Sequence, residues 1–371
     1  ERARHAEALR RVPDDTVRDL HDSGLFRILQ PRFWGGYEQD LSLFVEICMA
    51  LGEGCGSTAW VYGNLASHHW MLGMWTEAAQ RAVWTDDAEA LICSSFAFPA
   101  GKAKVADGGY SLRGNWPFCS GIDCSQWIML GAFVESGDES PAKPRAFLVP
   151  QSDYEIIDNW HVSGLRATGS KNVRIDETFV PGELTLDLGD LRGGPSPGSA
   201  LNEHALFRVP LLASFAFVLS GTAIGAAKAT LQSFVDATRS RVTTYTGAKA
   251  ADFSNLHLKV GEAASLIHAA ELLLMHDTQE MMRLTEAGDI PDIERKLSYR
   301  RNGTYAISMA TRAVDLIYGA SGGRALFEDN PIQRAFRDVH AASAHINNNW
   351  EIAAVSYGRV ALGLETDSPM L

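Results

Sequence analysis

Three textures follow one another along the chain, and their order constrains the fold more than any single motif. In residues 1–91, Leu9, Val12, Val17, Leu20, Leu25 and Ile28 recur near helical spacing, with breaks at Pro13 and Gly24. Asp14 and Asp15 are expected to cap the helix that restarts after Pro13. After the Gly35-Gly36 turn, Leu41, Phe44, Val45, Ile47, Cys48 and Leu51 make a second amphipathic stretch, and a third runs from near Thr58 to Trp75. From Leu91 the texture changes. Short apolar runs (Ile128 to Val134, Ala146 to Val149) alternate with turn signals at Asp107-Gly108-Gly109, Gly137-Asp138 and Pro141, and Lys171 to Asp176 alternates inside and outside. Beyond the Gly/Pro-rich stretch Gly189 to Ser199, long helical periodicity returns. The expectation is an α+β chain with segregated layers: an N-terminal helical domain over 1–91, a β-barrel or sandwich over 92–190 and a C-terminal helical bundle over 200–371. No Gly-x-Gly-x-x-Gly opens a helix after a strand, which argues against a nicotinamide-binding Rossmann unit.

Composition narrows the partners. A net charge of −12 with scattered Lys and Arg offers no stripe for nucleic acid, so a small-molecule substrate is expected. No run reaches the roughly 18 uncharged apolar residues that span a bilayer. Leu211 to Ala227 is interrupted by Ser214, Ser220, Gly221 and Thr222 and reads as a buried interface helix. The five cysteines (Cys48, Cys55, Cys93, Cys119, Cys124) are odd in number and lack zinc-site spacing. With no charged-then-apolar leader in view, they fit a reducing cytoplasm and no metal centre is expected.

Several strings, in this order, resemble the acyl-CoA dehydrogenase superfamily over essentially the whole chain. They are Gln30-Pro-Arg-Phe-Trp34-Gly-Gly36, Gly54-Cys-Gly-Ser-Thr-Ala-Trp60, and Asp107 to Trp116 leading into a flavin-side strand. Trp160-His-Val-Ser-Gly164-Leu-Arg-Ala-Thr168-Gly-Ser170 and Pro331-Ile-Gln-Arg334-Ala-Phe-Arg337-Asp338 follow. Within the superfamily, the likeness is to the two-component reduced-flavin monooxygenases. The dehydrogenases often carry a catalytic Glu shortly after the Arg-Asp pair. Here that stretch has no carboxylate and reads His340-Ala-Ala-Ser-Ala-His345. Abstraction of an acyl α-proton needs a poised base. Trp116-Pro-Phe-Cys119-Ser120-Gly-Ile-Asp123 and Cys93-Ser94-Ser95-Phe96 also resemble the monooxygenases, with Cys119 where they carry a first Ser.

The resemblance implies an oxygenase component that takes FMNH2 or FADH2 from a separate NAD(P)H:flavin reductase. It would activate O2 as a flavin C4a-hydroperoxide and hydroxylate a small aromatic, phenolic substrate. It assigns His345 as base or proton manager, Ser120 to the flavin N5 region, and Ser94 and His68 to the phenol. Trp116 and Cys119 are expected to flank the isoalloxazine. Arg241 is assigned to the flavin phosphate, chemically apt for a guanidinium fork, with Gly322 and Gly323 approaching the cofactor across a homotetramer interface. Taken singly, these residues have ordinary roles: Cys119 in packing, Arg241 solvated, the histidines structural. His340 is the rival to His345, about 140° away if one helix carries both. N- or S-oxygenation on the same scaffold, acyl-CoA dehydrogenation and an inactive scaffold are the competing functions.

Overall fold

The computed structural model describes residues 2–135, 143–366, 368 and 371; the turn expected at Gly137-Asp138 and Pro141 lies outside the described residues. Pro13, which has a fixed φ and no N–H to donate, precedes the second helix, so the chain opens as α1 (Ala3–Leu9) and α2 (Asp14–Asp22). Pro13 itself occupies the N-cap position. Asp14 and Asp15 do not cap. They lie in the first turn, where a carboxylate meets the positive end of the helix dipole, and they pair with Arg11 and Arg18.

α3 (Leu41–Gly54), α4 (Gly56–Gly73) and α5 (Glu77–Trp84) complete the first layer. α4 is buried at every residue but Thr58. A helix covered all round runs through a core, and its polar residues therefore need partners inside the protein.

The middle region is one eight-stranded sheet: β1 (Ile92–Ser95), β2 (Gly101–Ala106), β3 (Gly109–Cys119), β4 (Trp127–Glu135), β5 (Lys143–Pro150), β6 (Glu155–Ile157), β7 (Lys171–Pro181) and β8 (Thr185–Asp187). The order is β6-β7-β3-β2-β4-β5-β8, with β1 and β2 lying end to end, both parallel to β4. The other pairs are antiparallel. β3 also meets strands that are not its neighbours. The Trp116 indole N–H donates to the Gly131 carbonyl of β4 at 2.7 Å, and Tyr110 meets Phe147 of β5 with ring centroids 5.5 Å apart. Such contacts require the sheet to curl over its own core.

α6 (Leu211–Ser240), α7 (Ser254–Glu286) and α8 (Ile293–Ser321) form the long helices of the last layer, followed by α9 (Pro331–Ser343) and α10 (Trp350–Ala361). Among the described residues, α6 is the one helix long and apolar enough to cross a membrane, and most of its apolar stretch is buried inside the protein.

α9 locks onto the sheet side at one turn. A Cβ on Gly164 would lie 2.0 Å from the Arg337 carbonyl oxygen, so only glycine permits this approach. There Asp338 Oδ1 accepts the Leu165 N–H at 2.7 Å, and Arg337 Nη1 donates to the Ser163 carbonyl at 2.6 Å.

Candidate active site

Four segments converge around one face of α4: β1, the end of β3, the 164–170 turn and the segment after α9. Trp60, Asn64 and His68 are spaced four apart and so share that face. Trp60 Nε1–H donates to Ser120 Oγ at 3.1 Å, and His68 Nε2 lies 2.8 Å from Ser94 Oγ. α4 thus holds the two hydroxyls expected to be functional.

Donor and acceptor accounting sets the direction of each bond. His68 Nδ1 faces the Ile92 carbonyl at 2.7 Å; a carbonyl only accepts, so Nδ1 carries the hydrogen. Burial holds the ring neutral, with its pKa pushed down to about 4. Nε2 is then a lone pair, and Ser94 donates to it. Ser94 Oγ is left with lone pairs free to accept.

His345 is arranged the opposite way. α9 ends at Ser343, so His345 is not helical; it caps the short turn Ile346–Asn348, and its Nδ1 accepts the Asn347 N–H at 3.2 Å. Desolvation again lowers its pKa to about 4. In the neutral ring the hydrogen therefore sits on Nε2, which makes His345 a donor in this state and leaves no free imidazole lone pair for the role of base. The ring stands edge-on to Trp60, with centroids 5.6 Å apart. His340 points elsewhere: its Nε2 is 3.2 Å from Asp315 on α8, and its ring packs on Phe336. His69 presents both nitrogens to main-chain carbonyls, of Phe26 and Ala90, and joins the helical layer to the entry of the sheet.

Ser120 heads a second chain. Its Oγ lies 2.8 Å from Ser170 Oγ, which lies 2.6 Å from Thr168 Oγ1, which donates to the Leu165 carbonyl at 2.9 Å. Gly121 follows with φ +78, and its N–H donates to the Thr168 carbonyl at 2.9 Å, tying the strand end to the turn. Ser170 and Trp60 meet Ser120 from 50 and 60 positions away in sequence, and Thr168 joins the chain through Ser170.

Two expected flavin neighbours are displaced. Trp116 is fully buried in the sheet core and its indole N–H is occupied, so it offers no face to a cofactor. Cys119 is equally buried, its Sγ directed at the Trp116 carbonyl. The physical cause is a register shift between Trp116 and Cys119. Within it Phe118 adopts φ +65 and turns outward, 64% exposed, edge-on to Trp160. Phe118 is the open aromatic surface of this strand.

Arg241, at the end of α6, donates to the Ser321 carbonyl at 3.2 Å, beside Gly322 and Gly323. A Cβ on either glycine would meet nothing within 4 Å. Among the described residues no hydrogen bond or ring contact joins this group to the Ser120 cluster.

A reduced flavin fits the chemistry of the cluster. Ser120 has an acceptor lone pair and 9% of its surface open, and Phe118 supplies a flat apolar face.

The family described as Acyl-CoA dehydrogenase, C-terminal domain matches residues 217–350. The chain is 37% identical to the FADH(2)-dependent resorcinol hydroxylase, oxygenase component, of Rhizobium sp. (strain MTP-10005), covering 98% of this chain and 91% of the relative. It is 36% identical to the flavin-dependent monooxygenase, oxygenase subunit HsaA, of Rhodococcus jostii (strain RHA1), covering 100% and 97%. The crystal structure of 3-HSA hydroxylase from Rhodococcus sp. RHA1 superposes with a TM-score of 0.95 at 35% identity, covering 100% of this chain and 95% of that one. With a helical layer, a curled sheet, a helical bundle and full-length identity of this order, the chain belongs to the oxygenase components of flavin-dependent monooxygenases built on the acyl-CoA dehydrogenase fold.

Proposed function

We propose that this chain is the oxygenase component of a two-component monooxygenase that hydroxylates a phenolic substrate with reduced flavin and O2. The observation that carries the phenolic reading is the Ser94–His68 pair, whose bonding leaves Ser94 Oγ free to accept the hydrogen of a substrate hydroxyl. A phenol donates to Ser94 Oγ, while the Ser94 hydroxyl hydrogen is directed at His68 Nε2 and the Ile92 carbonyl holds the ring in place. Removing the phenol proton makes the ortho carbon more nucleophilic, which is what attack on an electrophilic oxygen requires. His345, with its hydrogen on Nε2 and its ring edge-on to Trp60, is a donor available to the substrate at the Trp60 end of the site. When bound, a reduced flavin would supply the electrons that activate O2; Ser120 would accept from it and Phe118 would offer it an apolar face.

Trp60 and His68 are eight residues apart on α4, about 12 Å of helix rise. The likeness to the Rhizobium resorcinol hydroxylase supports both FADH2 as the flavin and a simple phenol as substrate. Arg241, Gly322 and Gly323 are proposed to reach the flavin phosphate of a neighbouring subunit. The exposed apolar side chains of Leu326 and Phe327 beside them, and of Ile352 and Val355 on α10, support a homotetramer. Five free cysteines fit a reducing cytoplasm.

The test supplies FADH2 or FMNH2 from a separate reductase, with O2 and a panel of phenols. A hydroxylated product is expected from at least one phenol. A folded protein that binds reduced flavin yet converts no phenol, naphthol or larger hydroxyarene contradicts the substrate class.

A further inference from the structure

We propose that Thr168, Ser170 and Ser120 form a one-way hydroxyl chain that lets Ser120 accept a hydrogen bond but not donate one, making the site selective for flavin in its reduced form. The inference rests on the reading that Ser120 meets the flavin at N5.

A hydroxyl has one hydrogen and two lone pairs. The chain ends on the Leu165 carbonyl, which can only accept, so the Thr168 hydrogen is spent there. Ser170 must then donate to Thr168, 2.6 Å away, and Ser120 must donate to Ser170, 2.8 Å away. Trp60 Nε1–H fills one Ser120 lone pair at 3.1 Å. One lone pair is left, and no hydrogen.

The terminal acceptor is immobile. The Leu165 carbonyl also receives the Thr168 N–H at 3.1 Å and the Trp160 indole N–H at 3.2 Å. Its own N–H is held by Asp338, and Leu165 sits at φ +51, a conformation that persists only where its surroundings impose it. Reversing the chain would turn the Thr168 hydrogen towards Ser170 and give up its 2.9 Å bond to this carbonyl.

Flavin N5 carries a hydrogen when reduced and a lone pair when oxidised. A Ser120 restricted to accepting bonds the first and meets the second lone pair to lone pair. Thr168 and Ser170 are therefore positioning residues: they act through Ser120. In an oxygenase that must take up reduced flavin and release the oxidised form, this polarity favours the working direction of exchange.

The test measures dissociation constants of oxidised FAD and, anaerobically, of FADH2, for the wild type, Ser170→Ala, Thr168→Val and the rescue variant Thr168→Ser. Circular dichroism confirms the fold of each. The wild type is expected to bind FADH2 more tightly. Ser170→Ala and Thr168→Val, which free the Ser120 hydrogen to turn, narrow the ratio at least ten-fold, largely through tighter FAD binding, and Thr168→Ser keeps it. The same change lowers the bound flavin's two-electron potential by about 30 mV per ten-fold. Folded Ser170→Ala and Thr168→Val proteins with the wild-type ratio overturn the chain while leaving the oxygenase reading intact. A wild type that binds no FADH2 at all overturns both.

Discussion

At the scale of single residues, the site is a matter of which atom holds which hydrogen. His68 and His345 are both kept neutral by burial, yet their partners give them opposite tautomers, one facing the site through a serine as an acceptor and the other as a donor. Ser94→Ala and His68→Asn are accordingly expected to lower kcat by about 100-fold, within the usual range for a proton-transfer group, with the loss relieved as pH rises and the phenol ionises in solution. His345→Gln, which keeps a donor, should retain far more activity than His345→Ala; pH–rate profiles of the four variants check both statements. Equal loss in all four, independent of pH, would refute the division of roles. The buried histidine also affects stability. His68 has a folded pKa near 4 against an ordinary 6.5, so its contribution is present above pH 6.5 and is lost as pH falls towards 4. Asp338 runs the other way: burial raises its pKa to about 6, so its share is present below the usual aspartate value and is lost as pH rises through 6. Thermal melts from pH 7 to 4.5 should show the wild type losing on the order of 2 kcal/mol more than His68→Asn. Identical slopes would mean that His68 is not buried in its neutral form.

At the scale of elements, α4 and the 164–170 turn carry the site between them. α4 supplies Trp60 and His68 from a single face, and the turn supplies Thr168 and Ser170, held down by α9 through Gly164 and Asp338. Gly164→Ala would push a methyl group into the Arg337 backbone and is expected to cost about 2 kcal/mol or more, while also loosening the Leu165–Asp338 bond. Chemical denaturation of the variant measures the first effect, and an unchanged midpoint would show that α9 is not clamped there. The sequence made much of this readable. Ser94, His68 and Ser120 stand out by motif because short strings keep their register. Phe118 did not, because strand alternation alone does not reveal the register shift that turns it outward and Trp116 inward. The roles of Trp60 and Ser170 were hidden for a different reason: both bond Ser120, which comes from another element, and Thr168 reaches Ser120 only through Ser170. His345 is assigned by resemblance, and the angle of about 140° that would separate it from His340 on one helix does not apply, because α9 ends at Ser343.

At the scale of the whole molecule, the order of helical, sheet and helical layers follows from periodicity, while the proposed assembly would use apolar surfaces that the single chain leaves open. If Arg241 serves a neighbour's cofactor, a mixture of Arg241→Ala and Ser120→Ala chains, each inactive alone, should recover roughly a quarter of wild-type activity on subunit exchange, because random pairing in a symmetric oligomer restores that fraction of sites. No recovery in a confirmed mixed oligomer would place Arg241 in its own subunit's site. The central claim, that the chain inserts oxygen from O2 into a phenol, is tested most directly by isotope labelling. FADH2 from a separate reductase, a convertible phenol and 18O2 are combined, and the product is weighed by mass spectrometry. One 18O atom per hydroxylated molecule is expected. Product oxygen drawn from water, or 18O2 consumed only to hydrogen peroxide with the phenol untouched, would contradict it.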